Sequence, residues 1–349
     1  MTLADSETIP VRAAHRFDEG QLIDYLAGAM PGVARGAIAV RQMRGGQSNP
    51  TFLVEIGADR FVLRKQPPGE LLPSAHAVDR EFRVISALAK TDVPVPRAVL
   101  FCAEREVIGT PFYLMECLEG RVFRGNDLPG LAPAERGAVY DAMGDVLARL
   151  HKVDPAAVGL GDYGRPGSYF QRQIARWSKQ WQMQKPREIP ALEKLIAWLE
   201  THQPADDGRV SIIHGDYRVE NLMFAPDRAE VIGVLDWELS TLGHPLADLA
   251  YNCMPWHMAP EEFSGLVGLD LAGLGIPSQA AYVAAYFRRT GLPGTLELFH
   301  LAFSMFRMSV ILEGVYARGL AGNASNDTAT TVGALGKVFA ERAWALVEG

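Results

Sequence analysis

The stretch Ile213-His214-Gly215-Asp216-Tyr217-Arg218-Val219-Glu220-Asn221-Leu222, with Val234-Leu235-Asp236-Trp237-Glu238 after it, decides how this chain is read. Each segment follows a short apolar run, as a loop follows the end of a strand. Phosphoryl transfer needs a carboxylate facing the acceptor hydroxyl and oxygen donors that hold Mg²⁺ on the nucleotide. Asp216 suits the first role. Asn221 and Asp236 suit the second, because Mg²⁺ takes hard oxygen ligands and keeps several waters. A His-Gly-Asp tripeptide alone arises by chance, and Asp216 could then be a plain turn residue. The three residues in this order and spacing argue for chemistry.

Outward from this stretch, the periodicity predicts a β-rich first third and a helical remainder. A helix is expected over 17–30, with Leu22, Tyr25 and Leu26 on one face, and strands over 38–43, 51–56 and 61–65. Another helix is expected over 75–90, with Val78, Phe82, Ile85 and Ala89 at helical spacing, then strands near 97–102 and 111–116. Helices follow over 134–151, 168–184 and 190–202. Short strands at 210–213, 222–224 and 231–236 bracket the quoted loops. Helices near 246–254, 278–290, 295–318 and 327–347 complete the chain.

The chain has 349 residues, 48% of them hydrophobic, enough for one large or two modest cores. Its net charge of −7 and lack of a long basic block speak against nucleic-acid binding. Cys102, Cys117 and Cys253 are scattered and lack metal-site spacing, as reduced thiols of a cytoplasmic protein would be. The start MTLADSETIP shows no signal-peptide pattern, and no window reads as a membrane span, so no membrane partner is expected.

HGDYRVENLMF resembles the protein-kinase catalytic loop H-R-D-x-x-x-x-N, with Gly215 at the arginine position. Asp236-Trp237-Glu238 stands where kinases carry D-F-G. His-Gly-Asp with Asp-Trp resembles the aminoglycoside phosphotransferase family, a small-molecule branch of that fold. GGQSNPTF (45–52), FVLRKQPPG (61–69) and VLDWELSTLGHPLADLAYN (234–252) make the chain similar to its group associated with acyl-CoA dehydrogenases. The resemblance implies an α+β, bilobal, protein-kinase-like fold: a small nucleotide-binding N-lobe (1–118) and a larger helical C-lobe with the catalytic loop and acceptor site (119–349). It also implies ATP and Mg²⁺ as cofactors.

Carried over residue by residue, the resemblance assigns further roles. Gly46, Gln47 and Ser48, with Gly45, would form the turn over the phosphates, although such a turn can be a plain hairpin. The position of the kinase lysine falls on Arg64 if strand register holds, with Lys65 second, because alternation points these neighbours to opposite faces. Glu81 on the next helix would pair with Arg64. The Glu116 carbonyl and Leu118 N–H would hold adenine, with Met115 behind it. Arg218 stands where a lysine contacts the γ-phosphate. His214 reads as structural, and Asp248 as a group that bonds catalytic-loop backbone.

Residues 161–190 would wall the acceptor pocket. Arg165, Arg172, Arg176, Lys179, Lys185 and Arg187 there outnumber Asp162 and Glu188, among Tyr169, Phe170, Trp177 and Trp181. Arg172, Arg176, Trp177 and Trp181 are the candidate acceptor contacts, with Arg307 and Arg318 further along. A basic, aromatic pocket favours an anionic, partly apolar acceptor over a polycationic aminoglycoside. A hydroxyacyl compound or its CoA thioester fits, with a functional link to acyl-CoA dehydrogenases. A solvated basic helix face over a tryptophan core would read the same. An aminoglycoside, choline- or homoserine-type kinase, and a nucleotide-binding pseudoenzyme acting as an interaction module, stay open.

Overall fold

A computed structural model describes residues 7–34, 36–44, 49–69, 76–165, 167–321 and 329–349. The chain forms two compact units. Unit 1 holds the residues up to Val122 together with Leu222–Glu238, and unit 2 holds Phe123–Asn221 and Leu239–Gly349.

Unit 1 is built on a six-stranded antiparallel sheet. Across the sheet the strands run Thr8–Ile9, Ile38–Met43, Thr51–Ile56, Asp59–Lys65, Phe112–Glu116 and Ala98–Cys102. Phe52, Val54, Phe61 and Leu63 bury one set of alternating side chains with Leu22 and Leu26 of the Glu19–Ala29 helix. Asp18 caps that helix by accepting the Gln21 N–H. The Val78–Leu88 helix buries Val78, Glu81, Val84, Ile85 and Leu88. Its expected face shifts, because Phe82 is only half buried and Ala89 is exposed beyond the helix end. Leu222–Phe224 and Val231–Val234 form a separate hairpin. Gly120 lies against it so closely that a Cβ there would stand 2.3 Å from the Phe224 carbonyl oxygen.

Unit 2 is helical apart from Ser211–Ile213 paired with Thr241–Gly243. Its helices are Pro133–Lys152, Tyr169–Gln184, Pro190–Thr201, Pro245–Cys253, Gln279–Thr290, Leu298–Leu320 and Ala329–Glu348, of which Pro133–Lys152 and Pro245–Cys253 pack on that two-stranded ladder. The core gathers Phe170, Ile174, Trp181, Leu195, Phe299, Phe303, Phe306 and Phe339. Contrary to the expectation that no window reads as a membrane span, the Leu298–Leu320 helix is long and apolar enough to cross a membrane by length and composition. A helix apolar on nearly every side is either a core helix or a span. Here 83% of its apolar window is buried, and Arg307 and Glu313 are buried on it with polar partners.

Candidate active site

In unit 1 the strand Asp59–Lys65 presents Arg64 and Lys65 to opposite sides. The Arg64 Nε lies 3.1 Å from Glu81 Oε2, and its Nη2 lies 2.6 Å from Asp236 Oδ1 and 3.2 Å from Glu238 Oε2. Burial opposes the charge on Arg64, but Asp236 and Glu81 hold its pKa far above the ordinary value. At Glu81 burial prevails over the arginine and pushes the carboxyl up. Glu81 also accepts from Tyr113 Oη at 3.1 Å and from Asn49 Nδ2 at 2.5 Å. The Asn49 Oδ1 in turn meets His76 Nδ1 at 3.0 Å. Lys65 is buried on the other side, with Nζ 3.5 Å from the Ile108 carbonyl and 5.1 Å from the centre of the Phe17 ring. Burial lowers its pKa. Lys65 therefore does not share the carboxylate cluster of Arg64.

Asp236 follows the Val231–Val234 strand in a left-handed backbone conformation, φ 64°. Few side chains take this conformation, though aspartate is among the more tolerant. Trp237 pins the turn by donating Nε1–H to the Val234 carbonyl at 2.9 Å. At the end of the Phe112–Glu116 strand, the Glu116 N–H donates to the Arg97 carbonyl, and its carboxylate accepts from the Arg97 N–H. Half-buried Leu118 reaches Gly233, where a Cβ would stand 2.4 Å from Leu118 Cδ1. Gly46, Gln47 and Ser48, with Gly45, lie outside the described residues.

In unit 2 the loop after Ser211–Ile213 is clamped by backbone bonds. Asp248 accepts the His214 N–H at 2.6 Å and the Gly215 N–H at 2.8 Å. Arg307 donates Nη2–H to the Gly215 carbonyl at 2.8 Å. Burial alone would raise the Asp248 pKa. The hydrogen bond to His151, the neighbouring His214 and the Gly215 N–H outweigh it and hold the carboxyl below its usual range. Gly215 has φ 83°, and a Cβ on it would stand 2.6 Å from the Leu239 carbonyl oxygen. An arginine there, as in the protein-kinase pattern, would meet both obstacles.

The Asp216 carboxylate is held from both ends. Tyr251 Oη donates to Oδ1, and Asn221 Nδ2 donates to Oδ2 at 2.9 Å and to the Asp216 carbonyl at 2.8 Å. Asn221 ends the helical turn Val219–Asn221, which returns its side chain to the aspartate five residues back. With its amide nitrogen committed, no donor among the described residues bonds Asn221 Oδ1. Arg218 Nε stands 3.6 Å from Asp216 Oδ1, with Nη1 2.9 Å from Glu220 Oε2. A small recess beside Arg218 is walled by Tyr251, Asn252 and Phe263. Tyr251 went unnoticed in the sequence, although its place three residues after Asp248 on one helix puts both on the side facing this loop.

A profile of the Phosphotransferase enzyme family matches residues 39–299. This chain belongs to that family. Among curated relatives, acyl-CoA dehydrogenase family member 10 of Mus musculus is 45% identical over 341 residues, covering 97% of this chain and 32% of that protein. Family member 11 of Gallus gallus is 43% identical over 350 residues, covering 96% and 44%. The chain thus spans less than half the length of these relatives. A solved structure of a candidate aminoglycoside phosphotransferase from Ralstonia eutropha is 47% identical, with TM-score 0.87 over 95% of this chain and 99% of that one. The phosphotransferase APH(4)-Ia, solved with AMP-PNP and hygromycin B, has TM-score 0.58 at 16% identity and covers 92% and 98%; it shows the fold alone. The fold is the α+β, protein-kinase-like one of this phosphotransferase family.

Residues 161–190 differ from their sequence reading. Trp181 is fully buried in the core of unit 2, its Nε1–H on Glu193 at 2.8 Å, and is no acceptor contact. Tyr169 and Phe170 are core residues too. Lys185 is 3.1 Å from both Glu188 and Glu193, and Arg187 is paired with the buried Glu313. Arg307 supports the His214–Asn221 loop from within the core, and Arg318 is exposed. Of the candidates, half-buried Arg172 donates Nη2–H to the Arg165 carbonyl at 2.6 Å, and exposed Arg176 stacks over half-buried Trp177, 5.4 Å from the ring centre. The basic bias therefore narrows to Arg172, Arg176 and Lys179, because Arg165 lines a separate cavity.

Proposed function

We propose that this phosphotransferase moves the γ-phosphoryl group of ATP, with Mg²⁺, to a hydroxyl of a small hydroxyacyl compound, free or as its CoA thioester. The observation that carries the transfer step is the Asp216 carboxylate, fixed by Tyr251 and Asn221 on a loop whose backbone Asp248 and Arg307 clamp. In this reading Asp216 accepts the proton of the acceptor hydroxyl as that oxygen bonds to phosphorus and the bond to the β-phosphate oxygen breaks. Arg218 faces the γ-phosphoryl charge. Arg64, oriented by Glu81, steadies the phosphates. Catalysis is then mainly positioning and charge neutralisation.

Asn221 Oδ1 and the Asp236 carboxylate are the oxygen donors assigned to Mg²⁺. Among the described residues no group of three or more His, Cys, Asp or Glu is gathered as a metal cage. Nucleotide phosphates and water would supply the remaining ligands of an ion that prefers that arrangement. The metal's contribution is neutralising the charge of the triphosphate. The Glu116 carbonyl and Leu118 N–H are the proposed adenine contacts, and Gly46, Gln47 and Ser48 the proposed phosphate turn.

The acceptor class rests on Arg172, Arg176 and Trp177 and on the names of the relatives. A screen coupling ADP release to added hydroxy acids, their CoA esters, amino alcohols and aminoglycosides tests it. Turnover is expected with a hydroxy acid or its CoA ester, with a raised acceptor KM and a nearly fixed ATP KM in the Arg172→Glu/Arg176→Glu double variant. Turnover confined to aminoglycosides overturns the acceptor assignment.

A further inference from the structure

A cavity of about 390 Å³ opens in unit 2 at the end of the Ser211–Ile213 strand remote from the catalytic loop. Gly243 lines it and pairs with Ser211, whereas Thr241 pairs with Ile213, beside His214. Asp216, Arg218, Asn221 and Arg307 are not among its lining residues. Three helices of 16, 9 and 23 residues start at its wall, at Tyr169, Pro245 and Leu298. Helix starts carry partial positive charge. Here they are already served from within: Asp206 accepts the Ser168 N–H, His244 Nδ1 the Leu246 N–H, and Glu297 caps the third. The helix starts alone therefore carry no site.

His300 supplies the independent observation. It is 3% exposed and lines the cavity. Its Nδ1 accepts the Glu297 N–H at 3.1 Å, which places the proton of the neutral ring on Nε2. Burial, with His244 beside it, keeps the ring neutral by lowering its pKa to about 4. Among the described residues the Nε2–H has no acceptor, whereas the stacked neighbour His244 has Asp207 at 3.2 Å from its Nε2. The N–H is open to the cavity rather than sealed in the core, so a ligand entering the cavity can supply the acceptor that the protein does not.

The charged groups around it are Asp206, Asp207, Glu297, Arg165 and Arg209. Asp206 accepts two backbone N–H groups, and Asp207 takes His244 and both the backbone and the Nε of Arg209. The protein's own donors thus occupy these carboxylates. Arg209 spends Nε on Asp207, and its terminal nitrogens have no acceptor among the described residues; nor has the Arg165 side chain. We propose that this cavity binds a small monocarboxylate, apart from the phosphoryl-transfer site, with its oxygens on the His300 Nε2–H, the Arg209 fork and the Arg165 guanidinium and its alkyl part against Phe170 and Leu246. A dianion would meet Asp206, Asp207 and Glu297, so a single negative charge fits best.

Butyrate is the probe, because it has no hydroxyl to phosphorylate. Calorimetry on the full chain should show one saturable site, and ¹⁵N NMR should show the His300 Nε2–H resonance moving as butyrate is added. Arg165→Gln and Arg209→Gln should each weaken binding by about tenfold or more, as loss of a charge-assisted bond does. Because Arg209 also holds Asp207, Arg165→Gln is the arm that leaves that pair intact. No saturable butyrate binding, binding unchanged in both variants, an unmoved His300 signal, or binding of inorganic phosphate alone overturns the proposal.

Discussion

Arg64 Nη2 meets Asp236 Oδ1 at 2.6 Å across 172 residues of sequence, inside unit 1. The same guanidinium holds Glu81, so one buried cation serves carboxylates from a helix and from the turn after a hairpin. Glu238 adds a third carboxylate at 3.2 Å, and Lys65 is turned away from the cluster toward Ile108 and Phe17.

Arg64→Ala should therefore weaken ADP and ATP binding more than Lys65→Ala does, as measured by calorimetry. It should also destabilise the protein by about 3–5 kcal/mol, because Glu81 is left buried without its cation. A larger nucleotide-affinity loss for Lys65→Ala would reverse the assignment of the two neighbours.

Asp216→Asn should cost on the order of 10²–10⁴ in turnover, the usual contribution of a positioned base, with nucleotide affinity within about a few fold of wild type. Stopped-time assays and nucleotide titration check the two parts separately. Turnover near that of wild type would remove Asp216 from the mechanism.

Asn221→Ala and Asp236→Ala should each raise the Mg²⁺ concentration needed for activity, or abolish activity, since each removes an oxygen donor assigned to the ion. A Mg²⁺ titration at fixed nucleotide reads this. An unchanged midpoint in both variants would discard the ligand assignment.

Asp248 should make stability depend on pH. Its folded pKa is depressed, so its contribution is fully present above the unfolded value near 4 and is lost as pH falls through the lower folded value. Urea denaturation of Asp248→Asn should show a lower midpoint at pH 7 and a smaller acid loss below about pH 4 than wild type. Parallel acid limbs in the two proteins would contradict it.

Gly215→Ala should destabilise by roughly 1–3 kcal/mol from backbone strain, with a further cost from the overlap at Leu239. Thermal denaturation measures the stability, and activity should fall with it because Asp216 rides on this turn. An alanine variant of full stability would show that the turn tolerates a side chain.

Much of this was legible in the sequence because periodicity and local spacing are properties of the backbone itself. Alternating apolar residues marked the strands 38–43 and 51–56, and helical spacing marked Pro133–Lys152 within two residues. The Asp216–Asn221 contact is local, closed by one helical turn, so five residues of sequence suffice to state it. Asp248 was readable as a backbone clamp only through the family pattern. Tertiary packing decided the rest. It sent Trp181 to the core and Arg307 to the Gly215 carbonyl, because an amphipathic helix does not announce which neighbour covers each face. It placed Leu222–Glu238 with the N-terminal sheet, and so brought Asp236 to Arg64. It also made the apolar Leu298–Leu320 helix a core element. Composition gives hydrophobicity, but only the packed neighbours determine whether water, lipid or protein satisfies it.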